Sequence, residues 1–172
     1  MMDSYCEQLV AKTRTSGDTA KAVMTIVISL LIATGFVFLM IWIGLLGLIF
    51  AFVSVGLGVW FVSGMGVEYE YIITNDEMDI DKIKGKRKRT RMITVDIKRT
   101  FDFEPIPCGS EDFDVVVHAS SGLESDAYCL FVEHSDYGRV KIIFNPNKKM
   151  RETIAQNVPK QLRKKVVGED VE

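Results

Sequence analysis

The chain has 172 residues, a formal net charge of −2 and an apolar content of 48%. That average joins two materials, because residues 22–67 hold 34 apolar residues in 46 and no Asp, Glu, Lys, Arg, His, Asn, Gln or Pro. The remainder has an ordinary soluble composition. Three cysteines and four prolines in such a blocky chain exclude a disulfide scaffold, a disordered chain and a repeat array.

Residues 1–21 read as a cytoplasmic N-terminal segment. Ser4-Tyr5-Cys6-Glu7 has capping-box spacing, and Cys6, Leu9, Val10 and Thr13 fall on one helical face. The segment is therefore either a short amphipathic helix lying on the membrane or a frayed tail. A cleaved signal peptide is excluded, since the apolar run is too long and Asp3, Glu7 and Asp18 precede it.

Residues 22–67 read as a transmembrane helical hairpin. One span needs about 20 apolar residues, so the run predicts two, Ala22–Ile43 and Leu48–Gly66, turning at Gly44 and Gly47. Trp42 is expected at the far interface and Trp60 towards the near side. The pairs Ser29/Ala33 and Ser54/Gly58 have small-xxx-small spacing, which suits close packing of the hairpin on itself. No ionisable residue lies in the run, which argues against a transporter or channel core. Lys12, Arg14 and Lys21 precede the first span, Lys82 to Arg91 follow the second, and the turn has neither Lys nor Arg. This places both termini on the cytoplasmic side of a multi-pass cell-membrane protein.

Residues 68–172 read as a cytoplasmic domain. Period-2 alternation predicts strands at Glu68–Ile73, Met78–Asp81, Ile93–Lys98, Phe101–Glu104, Phe113–Ala119, Ala127–His134 and Arg139–Asn145. Val115-Val116-Val117 suggests a strand covered on both faces. Met150, Ile154, Val158, Leu162 and Val166 then recur every four residues, a helical stripe. Asn145 is its expected N-cap with Pro146 following, and Pro159 either kinks the helix or ends it and starts a second.

This order resembles the bacterial pleckstrin-homology-like domains found beside membrane spans. The resemblance lies in Tyr69-Glu70-Tyr71-Ile72-Ile73-Thr74-Asn75-Asp76, Arg91-Met92-Ile93-Thr94-Val95-Asp96-Ile97 and Phe144-Asn145-Pro146-Asn147, and it covers roughly residues 66–166. It implies an antiparallel barrel of about six or seven strands capped by a C-terminal helix, in an α+β domain behind the membrane hairpin. It also implies a non-enzymatic fold that binds proteins or lipids.

The densest charge is Lys82–Arg91, with seven cations in ten residues. Lys84, Lys86, Arg87, Lys88, Arg89 and Arg91 are the candidates for contact with anionic membrane lipids, at roughly 1 kcal/mol for each cation that reaches the surface. Alternatively the loop is a solvated hairpin tip that only fixes topology. The flanking segments are acidic, with six acids and no base in 68–81 and nine acids against two bases in 100–145. That balance, and the lack of consistent pairing of aromatics with bases along the strands, disfavours nucleic acid.

Catalytic chemistry is thin. His118 and His134 are isolated, and no phosphate loop, zinc pattern, nucleophile elbow or paired-carboxylate motif occurs. Cys6, Cys108 and Cys129 are odd in number and lack a CxxC, which fits a reducing compartment better than a disulfide framework. Cys129 reads as core and Cys108 as a loop thiol. Asp79, Asp81, Glu111, Asp112 and Asp114 read as solvated acids rather than a metal site, so no cofactor, metal or small-molecule substrate is expected. The expectation is a membrane-anchored binding or scaffold protein with a protein partner or self-association, the alternative being an anionic-lipid surface sensor that uses residues 82–91.

Overall fold

A computed structural model describes residues 5–109 and 112–167. They form two compact units. One contains the N-terminal segment up to Thr13, Val67–Ile83 and the chain from Lys88 onward; the other contains Arg14–Gly66 with Lys84–Arg87.

The second unit is a helical hairpin. Helix α1 spans Ser16–Ile43, about 42 Å at 1.5 Å per residue. It starts six residues before the predicted Ala22 because Thr15 and Asp18 form a capping box. The Thr15 Oγ1 accepts from the Asp18 amide at 3.3 Å, and Asp18 Oδ2 accepts from the Thr15 amide at 3.2 Å. Gly44, at φ +63°, makes the turn alone, and helix α2 follows at once over Leu45–Ser63. Gly47, expected in that turn, lies inside α2 and faces α1. A Cβ there would stand 2.7 Å from the Phe36 carbonyl oxygen. Ala22, Ser29 and Ala33 of α1 and Gly47, Ala51 and Gly58 of α2 are the buried residues of the hairpin, so its small residues serve its own seam. The large side chains face outward, with Phe38 71%, Trp42 85% and Phe52 72% exposed. Both helices are long and apolar enough to cross a membrane. Outward phenylalanines and tryptophans suit hydrocarbon and would be a liability in water.

The first unit carries two four-stranded sheets. Strands β1 (Tyr5–Ala11), β2 (Val67–Thr74), β3 (Glu77–Lys84) and β4 (Lys88–Asp96) follow one another in the first. Strands β5 (Thr100–Pro105), β6 (Val115–His118), β7 (Tyr128–His134) and β8 (Gly138–Phe144) form the second in the order β5-β7-β8-β6. Helices α3 (Lys148–Asn157) and α4 (Arg163–Val167) complete it. The described residues thus hold eight strands in two sheets, with the C-terminal helix that the reading of an antiparallel barrel of about six or seven strands includes.

The additional strand is β1, which replaces both readings of this segment, the amphipathic helix and the frayed tail. Its burial has period 2: Cys6 is buried while Tyr5, Glu7, Leu9 and Ala11 are exposed. It pairs antiparallel with β2 from Tyr5↔Thr74 to Ala11↔Glu68. Seven residues that form only a marginal isolated helix gain a ladder of backbone bonds from a strand on the far side of the hairpin. Ser4, the first residue of the anticipated capping box, lies outside the described residues, and Glu7 accepts the Tyr5 hydroxyl at 2.6 Å.

A second correction concerns β6, which is an edge strand pairing parallel with β8. Of its valines only Val117 is buried, and Val116 is 45% exposed. An edge position explains why a continuous apolar run is not covered on both faces here.

The core lies beneath both sheets and under α3, and includes Tyr71, Ile73, Met78, Ile80, Phe103, Ile142 and Phe144. Met150, Ile154, Val158, Leu162 and Val166 are all buried, as their spacing predicts. The helix ends before Pro159 and restarts as α4. The N-cap is Asn147, whose side chain accepts from the Met150 amide at 2.7 Å, not Asn145. Asn145 is taken up by tertiary bonds. Its Oδ1 accepts from the Ser121 amide at 2.7 Å, its Nδ2 donates to the Leu123 carbonyl at 3.2 Å, and its own carbonyl accepts from Gln8 Nε2 at 2.8 Å. The Tyr71 hydroxyl donates to the Ala119 carbonyl beside this node.

Candidate functional site

The basic segment forms the β3–β4 hairpin. Gly85 and Lys86 both have φ of +57°, and the Arg87 amide donates to the Lys84 carbonyl at 3.0 Å. Two consecutive positive φ values are the signature of a tight primed turn, whose twist matches the flanking strands. Gly85 is required twice over, since a Cβ there would also stand 2.8 Å from Gly64 Cα.

The six candidate cations divide into sets with different surroundings. Lys84, Lys86 and Arg87 belong to the helical unit. The Arg87 guanidinium lies 4.8 Å from the Trp60 ring centroid, and its Nη2 donates to Ser63 Oγ at 3.2 Å. Cation–π stacking on a tryptophan near the end of a span suits the headgroup layer. Lys84 and Lys86 are exposed, as is Lys88 at the start of β4.

Arg89 and Arg91 are engaged with acids of the first sheet. Arg89 Nη2 sits 2.7 Å from Glu70 Oε1 and 2.5 Å from Oε2. Arg91 Nε reaches Asp81 Oδ1 at 3.1 Å and its Nη2 reaches Asp79 Oδ2 at 2.9 Å. Both arginine side chains are 54% exposed, whereas Glu70 and Asp81 are almost fully buried beneath them. Burial pushes the Glu70 carboxyl above its usual range, and Arg89 opposes that rise. The hydrogen bond to Asp81 holds the Arg91 guanidinium protonated more firmly still. The pairing was not legible locally, because the acids stand on other strands. The only signal was the acidic block at 68–81 beside the basic one.

The second sheet carries a cluster that strand periodicity did not reveal. Arg139 lies 5.2 Å from the Phe101 ring and 5.3 Å from Phe113, and Lys141 lies 5.7 Å from both Phe113 and Phe131. Aromatics and bases are therefore paired, contrary to expectation. The register Phe131↔Lys141 and the irregularity between Thr100 and Asp102 bring them together. Phe101, Phe113, Phe131 and Arg139 border an open cavity of about 280 Å³, with Asp102, Glu104 and Gly109 on its wall.

The cysteine expectation is also corrected. Cys108 and Cys129 form a disulfide across 21 residues, and Cys6 is the free, buried one. The register Glu104↔Cys129 lays β5 beside Cys129, and the chain beyond Pro105 turns back towards it. His134 Nδ1 accepts from the Asp136 amide at 3.0 Å, closing the β7–β8 turn, and its Nε2 faces the Thr94 carbonyl at 3.2 Å. Asp114 accepts from the Arg139 amide at 2.8 Å, and Glu111 lies outside the described residues. Among the described residues no group of three or more His, Cys, Asp and Glu is placed to hold a metal ion.

No curated protein and no solved structure matches the chain. Residues 2–164 match the family described as a bacterial PH-like domain (DUF6106). That match spans β1, the helical hairpin, both sheets and α3, so the strand before the membrane segment lies within the family's own extent. Folds of this kind serve in general as modules that bind lipids or proteins. The chain belongs to this bacterial PH-like domain family.

Proposed function

We propose that the protein is a non-enzymatic scaffold, held in the cell membrane by its two helices, that presents its PH-like domain on the cytoplasmic side to a protein partner. The observation that carries this reading is the split domain. Strand β1 precedes the hairpin and pairs along its whole length with β2, which follows it. The domain is therefore built from chain on both sides of its anchor in the sequence, as suits a module whose task is to hold a partner at the bilayer. The orientation rests on Lys12, Arg14, Lys21 and the 82–91 segment. Tyr5, Leu9, Leu123 and Tyr137 are exposed large apolar side chains available to a partner. The test is site-specific photo-crosslinking from positions 5, 9 and 137 of the full chain in cells. A discrete adduct that disappears on Leu9→Lys supports the reading, and no adduct from any position refutes it.

One observation favours a second reading, an anionic-lipid sensor. Arg87 stacked on Trp60 supports a headgroup-level position for the hairpin tip, with Lys84, Lys86, Arg87 and Lys88 as the proposed contact set and Arg89 and Arg91 held by acids of the first sheet. Four such cations are worth roughly 4 kcal/mol at most. Trp60 fluorescence of the full chain carrying Trp42→Phe should respond to phosphatidylglycerol in nanodiscs, and the response should weaken with salt. Replacing the four residues by Ser without changing that response would rule the sensor out.

A further inference from the structure

A disulfide ordinarily marks an oxidising compartment, whereas the Lys and Arg placement puts this domain among cytoplasmic thiols. The two observations agree if the bond is one that opens and closes. We propose that Cys108–Cys129 is a thiol–disulfide exchange site whose ligands are low-molecular-weight thiols and disulfides of the glutathione class, and whose state sets the attachment of residues 107–109 to the second sheet. This rests on the cytoplasmic orientation proposed above.

Three features of the pair support exchange. The bond is asymmetric, since Cys108 sits half-buried in a loop while Cys129 is wholly buried in β7. An incoming thiolate therefore has one sulfur to attack. Cys129 lies between Glu104 on β5 and Ile143 on β8, where a neutral thiol behaves as a small apolar side chain. The reduced form thus leaves no charge in the core. Cys6 is buried at 1% exposure against β2, on the other sheet, so the pair has no competing thiol within its own sheet.

The consequence of opening is local. The Ile106 amide donates to the Ala127 carbonyl at 3.0 Å and stays fixed by the backbone. Beyond it, Pro107–Gly109 are tied to the sheet by the disulfide and by Lys141 Nζ, which donates to the Gly109 carbonyl at 3.1 Å. Gly109 is on the wall of the cavity bounded by Phe101, Phe113, Phe131 and Arg139. Opening the bond removes one of those two ties and alters that wall.

The chemistry balances as ordinary exchange. A glutathione thiolate attacks Cys108 Sγ, the S–S bond breaks, and its electron pair leaves on Cys129 Sγ, which takes a proton. A second thiolate attacks the glutathione sulfur of the mixed disulfide and releases the Cys108 thiolate, which is protonated in turn. Two glutathiones are oxidised to one disulfide, and the protein gains two thiols.

The test uses the full chain in nanodiscs, equilibrated with reduced and oxidised glutathione from a cytosolic to an oxidising ratio. Bonded protein is counted by maleimide mass shift, and the Gly109 amide resonance is followed by NMR. The expected result is reversible appearance of two further thiols at the cytosolic ratio, with the Gly109 resonance shifting as its wall is released while those of Phe103 and Leu130 stay in place. Cys108→Ser should show the shifted Gly109 resonance at every ratio. A bond that stays closed at the cytosolic ratio overturns the proposal, as does one that never forms at the oxidising ratio. Opening without any change at Gly109 overturns it too. Orientation is read separately, by labelling an introduced exposed cysteine, Ser135→Cys, in intact and permeabilised cells. A domain on the outer side overturns the orientation, and the exchange role with it, whatever the titration shows.

Discussion

Arg89 grips the Glu70 carboxylate with one nitrogen, 2.7 and 2.5 Å from its two oxygens, and so balances a buried negative charge on β2 of the same sheet. The arginine is half-exposed and the acid is not, so the two deletions are unequal. Arg89→Ala leaves a buried carboxylate without its main partner and should cost about 2–4 kcal/mol at pH 7. Burial already holds the Glu70 carboxyl above its usual range. An acid whose native affinity for protons is raised favours the fold at low pH and loses that preference as pH rises through its native value. The variant should therefore recover stability between pH 7 and pH 5, and Glu70→Gln should restore part of it in the double mutant. Denaturation in micelles at both pH values decides the matter. A pH-independent loss would contradict this account.

The turn of the β3–β4 hairpin gives a prediction of opposite signs. Gly85→Ala places a Cβ at φ +57° and against Gly64, and should cost at least about 1–2 kcal/mol. Lys86 adopts the same φ without glycine's freedom. Lys86→Gly should stabilise by up to about 1 kcal/mol, since glycine adopts this φ without strain. Thermal melts of the two variants should move in opposite directions.

The helical seam distinguishes two glycines on one helix. A Cβ on Gly58 would stand 2.5 Å from Ser29 Oγ, whereas one on Gly56 meets nothing within 4 Å. Gly58→Val should destabilise the hairpin by about 1–3 kcal/mol through overpacking. Gly56→Val should leave it within about 0.5 kcal/mol. Steric-trap unfolding in bicelles measures both.

Acid sensitivity should appear at the contact of α4 with β5. Burial raises the Asp102 carboxyl, but the Lys165 ammonium at 2.8 Å and the Phe103 amide outweigh it and hold it below the usual range. A depressed acid lends stability above the unfolded carboxylate range and loses it as pH falls through its native value. Asp102→Asn should remove up to about 1 kcal/mol at pH 7, discounted because Lys165 is half-exposed, and nothing below the native value. Denaturation midpoints of wild type and variant should converge on acidification.

Strand β1 should be indispensable. Removing the residues before Lys12 bares the β2 edge and cuts the Gln8 bonds to the Asn145 carbonyl and the Asn147 amide. The truncated chain should lose cooperative unfolding of the domain and aggregate on extraction, which size-exclusion chromatography would reveal.

Elements whose partners are near neighbours along the chain can be read from residue order alone. A charge-free apolar run of this length calls for two long apolar helices, so the hairpin is legible, although Gly44 alone makes the turn that the glycine spacing stretches over Gly44–Gly47. Period-2 alternation exposed the strands from β2 onward, and a four-residue stripe exposed the terminal helices with their break at Pro159. The pleckstrin-homology-like order could be read from those elements. Tertiary structure decided whatever depends on a distant partner. Tyr5–Ala11 is a strand because β2 offers it an edge after the chain has returned from the hairpin. Arg89 and Arg91 are drawn to acids of β2 and β3, which separates them from Lys84, Lys86, Arg87 and Lys88. Cys108 finds Cys129 only when β5 and β7 align. In each case the favourable bond closes a long loop, and residue spacing along the chain carries no record of which loops the fold will close.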